Sequence, residues 1–170
     1  MSDLNYLFIG VPIFGSWALM WLSGIKGMDT GYTKPWYFPE NWVFIAAWSI
    51  IYLIIGYLLY RALEHDDHNL FWMLILLTLL TYMWTYTFAI RRDFKRSFYL
   101  LLLILLVAFA CYSEIIYSDM IDDDTPNSLG HGYLHLFVPV LVWILFATLL
   151  MSQIRPGKTA FSPLMADDLE

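Results

Sequence analysis

Polar and apolar positions in this chain do not alternate with the period of a strand or of a surface helix. They separate into long uncharged runs punctuated by short clusters of charge. No Asp, Glu, Lys or Arg lies between Asp3 and Lys26, between Glu40 and Arg61, between His68 and Arg91, or between Arg96 and Glu114. A fifth run, from Tyr133 to Ile154, carries only His135 near its start. Each run can hold a helix of roughly 20 residues rising 1.5 Å per residue through a hydrocarbon core. A charge at the centre of such a helix costs about 2.5–3.5 kcal/mol on insertion scales, so charges confined to the gaps fit this reading. The pattern predicts an all-α integral membrane bundle of five transmembrane helices, at about 4–25, 42–61, 70–90, 97–117 and 133–154. They form one domain over 1–154, with a tail at 155–170. Pro12 and Pro139 fall inside the first and last runs, where neighbouring membrane helices can make good the lost backbone donor.

Composition points the same way. Hydrophobic residues make up 60% of the chain and charged residues 14%, and the mean hydropathy is +0.61, more apolar surface than a soluble domain of this length can hide. The first run starts Met-Ser-Asp without a basic leader and is followed by no small-x-small cleavage pattern, so it is expected to be retained as a helix. Cys111 is the one cysteine, which excludes an intrachain disulfide and leaves a small buried apolar role.

Charge placement gives the runs a direction. With five spans, the first and third loops and the C-terminus share a side, and that side holds Lys26, Lys34, Arg91, Arg92, Lys95, Arg96, Arg155 and Lys158. The other side has Arg61 as its sole Lys or Arg, together with Glu64, Asp66, Asp67, Asp119 and Asp122 to Asp124. Basic loops are retained in the cytoplasm, so the N-terminus is expected outside and the C-terminus, with the tail, inside. The net charge of −6 therefore reflects acidic loops and tail, and no charge block resembles a nucleic-acid ligand. Asp122 to Asp124 lack the spacing of a calcium loop and read as a solvated turn.

The most specific signal sits around the first loop. Lys34-Pro35-Trp36-Tyr37-Phe38-Pro39-Glu40 leads directly into Trp42-Val43-Phe44 and then Trp48, Tyr52 and Gly56. Two prolines fix φ and restrict their predecessors, giving a stiff aromatic loop suited to act as a lid. Trp48 and Tyr52, four apart, place two large rings on one helix face. This block resembles the TspO/MBR family of tryptophan-rich sensory and translocator proteins, whose first loop and second helix read approximately KPxWxPPxWVFxxxWxxLYxxxG. Lys34, Pro35, Pro39, Trp42, Val43, Phe44, Trp48, Tyr52 and Gly56 stand at matching places; Tyr37 and Glu40 replace a tryptophan and a proline. The fifth run resembles the family's VPYxxWxxFAxxLN through Pro139, Trp143, Phe146, Ala147 and Leu150, with Val140 and Met151 in place of Tyr and Asn. Trp84 and Phe88 fit the third helix, where Thr81 replaces an Asn.

The resemblance implies a five-helix bundle with a ligand cavity opening towards loop one. Ligands known for the family are porphyrins such as protoporphyrin IX and haem, cholesterol and other sterols, and synthetic benzodiazepine-like compounds. Indole and phenol rings suit a flat apolar ligand. Trp48, Tyr52, Trp84, Trp143, Phe146 and Ala147 are the expected lining, and Lys34, Pro35, Trp36, Pro39 and Trp42 the lid or rim. Porphyrin or haem enters as a ligand, and no resident cofactor is called for. Trp17, Trp21 and Trp72 are assigned to the bilayer interface. The replacements at Thr81, Val140 and Met151 predict a less polar pocket than usual for the family.

Three further readings stand beside simple binding. Bacterial relatives use tryptophans at the places of Trp48 and Trp143 in light-dependent porphyrin breakdown, so those two residues are the candidates for a catalytic role. A structural accessory subunit of a larger membrane complex is the second. The third is metal or haem ligation by His65, His68, His131 and His135, two pairs assigned to the non-cytoplasmic side, although nothing in the sequence fixes the distance between the pairs and solvated loop histidines are the simpler reading. Leu53, Tyr57 and Arg61 satisfy a weak sterol pattern that recurs by chance. The third run lacks small-xxx-small spacing, so a homodimer through it is not expected. The resemblance fits a bacterial envelope and a mitochondrial outer membrane alike.

Overall fold

The computed structural model describes residues 6–22, 32–33, 36–121 and 132–156. Within them the uncharged runs form α1 (Leu7–Leu22), α2 (Asn41–Glu64), α3 (His68–Thr85), α4 (Phe94–Ile121) and α5 (Gly132–Gln153). A single π turn, Tyr86–Ile90, extends α3. Four of these, α2, α3 with its π turn, α4 and α5, are long and apolar enough to cross a membrane. The described part of α1 has 16 residues and is apolar, but at 1.5 Å per residue it covers about 24 Å, short of a hydrocarbon core of roughly 30 Å. The fifth crossing expected from the sequence is thus represented by a shorter apolar helix. One departure from purely helical structure is a two-residue antiparallel pairing of β1 (Tyr32–Thr33) with β2 (Arg155–Pro156), which ties the first loop to the segment after α5.

Two tight turns share one design. At the end of α2, Asp66 takes a left-handed φ of 56°, and the amide of Asp67 returns to the Ala62 carbonyl at 2.9 Å, closing the helix as a Schellman motif. The Asp67 carboxylate then accepts the Leu70 amide at 3.0 Å and caps α3. After the π turn, Arg92 takes a φ of 54°, the Asp93 amide reaches the Thr87 carbonyl at 3.1 Å, and the Asp93 carboxylate accepts the Arg96 amide at 3.0 Å, starting α4. The second closure is one residue wider than the first because the preceding turn is π. A left-handed residue followed by a capping Asp therefore ends one helix and begins the next, and both connections stay short.

Helices α2, α3, α4 and α5 close into a ring in which each touches its two neighbours, and α1 lies outside it against α2 and, more lightly, α3. The ring is filled by aliphatic side chains with no exposure, among them Leu58, Leu74, Leu77, Leu101, Ile104 and Ile144. Threonine hydroxyls buried with them satisfy themselves on their own helices: Thr78 donates to the Leu74 carbonyl, Thr85 to that of Thr81 and Thr148 to that of Ile144. Outside the ring, α1 docks through two close approaches. A Cβ on Gly56 would stand 2.2 Å from the Ile9 carbonyl oxygen, so α2 meets the α1 backbone where only glycine fits. Further along, the Tyr82 hydroxyl on α3 donates to the Pro12 carbonyl in a slot left by Gly15, whose absent Cβ would lie 2.3 Å from the same oxygen.

Candidate ligand site

The four-residue spacing of Phe44, Trp48 and Tyr52 carries three rings down one face of α2. All three are buried. Trp84 and Thr85 from the end of α3 and Ser16, Trp17 and Met20 from α1 close over that face, with Ile45 and Ser49 at its margin. Together they enclose a cavity of about 30 Å³ at the end of the bundle from which the α1–α2 connection leaves. Such a space holds no more than a few waters, whereas sites for drug-sized ligands occupy roughly 300–1,000 Å³. A flat polycyclic ligand therefore enters only if α1 or the rings move apart. The wall is mostly apolar, and its hydroxyl-bearing residues are Ser16, Ser49, Tyr52 and Thr85, which stand at positions other than the replaced ones.

The rings stack in series. Trp48 and Trp84 have centroids 5.2 Å apart at an interplanar angle of 32°, and Trp84 and Phe88 are 5.1 Å apart and nearly parallel at 7°. Trp48 also meets Tyr52 at 5.9 Å, and Tyr52 meets Tyr82 at 5.6 Å. The π turn begins just beyond Trp84 and carries Phe88, and single π turns recur at functional sites. Ser97 of α4 donates to Thr87 at 3.2 Å and holds that turn in place. The indole N–H groups of Trp48 and Trp84 are buried and have no hydrogen-bond partner among the described residues. A buried donor left unpaired costs about 1–3 kcal/mol, and such groups call for a specific explanation.

The expected lining residues divide into two groups. Trp48, Tyr52 and Trp84 lie on the cavity, whereas Trp143 and Phe146 of α5 form a second aromatic group, 5.5 Å apart, joined to the first through Phe44. Phe44 is edge-on to Trp143 at 5.5 Å and also lines the cavity. The Trp143 N–H too is buried with no partner among the described residues. Ala147 is buried in the core away from the cavity wall. Of the expected lid, Trp36 is 95% exposed and packs edge-on to Tyr37, and Trp42 is 65% exposed with its N–H on the Glu40 carboxylate at 2.8 Å. Both rings turn outward. Among the described loop side chains, Phe38 reaches inward, stacked on Phe44 at 5.2 Å beside half-buried Pro39. Lys34 and Pro35 lie outside the described residues.

The lining expected from sequence left out Phe44, which continues the Trp48–Tyr52 row by four residues, and Ser16 and Met20 of α1, and it placed Trp17 at the bilayer interface. A hydroxyl in an otherwise apolar run, as at Ser16 and Ser49, was the available signal. Trp17 is half exposed yet lines the cavity, while Trp21 and Trp72 are exposed, as interface residues are.

At the other end of the bundle, Arg61 pairs with Glu64, lies 2.9 Å from His65 Nε2 and covers the Tyr133 ring at 5.2 Å. The cation of the weak sterol pattern is therefore already engaged. His68 Nδ1 bonds the Asp66 carbonyl at 2.8 Å, His135 is exposed, and His131 lies outside the described residues. Among the described residues no three His, Cys, Asp or Glu side chains gather as a metal site would require.

Two comparisons with known proteins bear on this arrangement. Over 49 residues the chain is 37% identical to the tryptophan-rich protein TspO of Archaeoglobus fulgidus, a stretch that covers 29% of this chain and 28% of that relative. The model of the TspO/MBR family matches residues 8–155, which takes in all five helices and both aromatic groups. The apolar helices and the family match make this an integral membrane protein, and the chain belongs to the TspO/MBR family.

Proposed function

We propose that this protein is a membrane-embedded receptor for a flat apolar ligand that carries a hydrogen-bond acceptor, with porphyrins such as protoporphyrin IX or haem as the first class and sterols as the second. The observation that carries the reading is the pair of indole N–H groups on Trp48 and Trp84 that have no partner among the described residues, set beside a small cavity with hydroxyls in its wall. A porphyrin supplies a broad π surface for the stacked rings and carboxylates for the donors. A sterol supplies an apolar face and one hydroxyl. Ligand entry separates α1 from the α2–α3 face, consistent with α1 lying outside the closed ring. From the basic residues, the cavity end faces the cytoplasm, with the N-terminus outside; protease accessibility of tags at both termini in sealed vesicles tests this.

Titration of the purified protein in nanodiscs with protoporphyrin IX, read by tryptophan fluorescence, tests the binding. Saturable quenching at micromolar ligand, weakened in Trp84→Phe, is expected. Absence of saturable quenching with both protoporphyrin IX and haem, alongside retained cholesterol binding, would transfer the assignment to sterols.

A further inference from the structure

The connection between α3 and α4 places four cations, Arg91, Arg92, Lys95 and Arg96, within six residues, with Asp93 as the one acid among them. All four are exposed. They stand where one spanning segment ends at Ile90 and the next begins at Phe94, hence at the depth of lipid headgroups. Two of the guanidinium groups are held in the same way. Arg91 Nε donates to the Tyr86 hydroxyl at 3.1 Å, with its guanidinium carbon 5.7 Å from that ring's centre. Arg96 Nε pairs with Asp93 Oδ2 at 3.1 Å while its side chain stays 83% exposed. In both, a neighbour fixes the inner nitrogen, and no described contact takes the two terminal nitrogens that grip a phosphate in bidentate fashion. Arg92 adds a third guanidinium from a left-handed backbone position where glycine would be unstrained, and backbone strain of this kind concentrates at functional sites.

We propose that this connection is a docking site for the phosphate headgroups of anionic phospholipids in the surrounding leaflet. Exposed Tyr86, Ile90 and Tyr99 flank the cations. A partner must therefore offer negative charge and hydrocarbon at one boundary, and an anionic phospholipid does both. A soluble acidic partner would satisfy only the charges. An anionic surface attracts juxtamembrane cations in general, and guanidinium groups held with their terminal nitrogens free add a bidentate grip that a lysine lacks, so the oriented arginines are expected to dominate lipid selection. The site is separate from the aromatic cavity and does not depend on its ligand.

The test uses the full chain in mixed phosphatidylcholine and phosphatidylglycerol bilayers, with spin-labelled lipids reporting which species is immobilised at the protein. The wild type is expected to retain phosphatidylglycerol severalfold over phosphatidylcholine at low salt, less so as salt rises. Arg91→Gln with Arg96→Gln is expected to abolish most of that preference, and Lys95→Gln to keep most of it. Tyr86→Phe leaves every charge in place and removes only the partner of Arg91 Nε, so a partial loss there assigns the effect to orientation. Equal loss in Lys95→Gln and the double-arginine variant, or no loss in Tyr86→Phe, would reduce the feature to diffuse charge and overturn the site. Competition by inorganic phosphate as effective as that by lipid would overturn the assignment to headgroups.

Discussion

Trp48 and Trp84, from two different helices, face each other at 5.2 Å, and neither indole N–H has a partner among the described residues. The two rings stabilise the bundle by their contact, while the two donors destabilise it by remaining unpaired. Trp84→Phe keeps most of the stack and deletes one donor. Its apo thermal stability is expected to change little, because relief of the unpaired N–H offsets the smaller ring. Porphyrin affinity is expected to fall about tenfold, the loss of one hydrogen bond of about 1.4 kcal/mol. Melting curves and fluorescence titration of the same preparation check both signs. A large drop in melting temperature with unchanged affinity would make Trp84 a packing residue only.

Gly56 is expected to be intolerant of any side chain. Gly56→Ala places a methyl 2.2 Å from a backbone oxygen of α1, which cannot rotate aside, and should cost about 1–3 kcal/mol. Gly10 is the control, since its added Cβ meets only the Phe14 ring, which can turn away. Unfolding in mixed micelles measures the difference between the two alanine variants.

Tyr82 and Gly15 should behave as one unit. Tyr82→Phe removes the bond to the Pro12 carbonyl, about 0.6 kcal/mol for a typical interhelical bond in a membrane, and Gly15→Ala displaces the same hydroxyl. The double variant is expected to lose less than the two singles added together, as a double-mutant cycle would reveal. Full additivity would mean that the Gly15 slot serves something other than the hydroxyl.

The two left-handed turn residues predict unequal responses to glycine. Arg92→Gly relieves a conformation costly to a long side chain and should gain about 0.5–1 kcal/mol in thermal unfolding. Asp66→Gly should gain less, because Asp tolerates that conformation better. If the connection between α3 and α4 binds anionic lipid as inferred, Arg92→Gly will also lower phosphatidylglycerol selection while raising stability.

Much of the fold was legible because a hydrocarbon solvent imposes a rule readable position by position: charges leave the runs, and backbone hydrogen bonds stay within them. Helices α2 to α5 fall within a few residues of the ranges read from uncharged stretches, differing mainly in the first and last turns, where charged Glu64, Phe94-Lys95-Arg96 and the polar end of α4 continue the helix beyond its apolar part. The π turn after Thr85 was not legible, since its residues look like any other apolar helical turn. The lining was only half legible for a related reason. Inside a bilayer the outward face is as apolar as the inward one, so periodicity does not distinguish exposed Trp21 from buried Trp48.

By itself the sequence determined the solvent of this protein, its helices and the aromatic residues from which its site is drawn, because those depend on local composition and spacing. Tertiary structure decided which aromatics meet. It put α1 outside the ring, brought Ser16, Trp17 and Met20 to the cavity, and parted Trp143 from Trp48 with Phe44 as the link. It also turned Trp36 and Trp42 outward while Phe38 stacks within. The physical reason is that helix association in a membrane is settled by close-fitting contacts, such as Gly56 on the Ile9 carbonyl and Tyr82 in the Gly15 slot, and a contact belongs to pairs of residues that no single stretch of sequence contains.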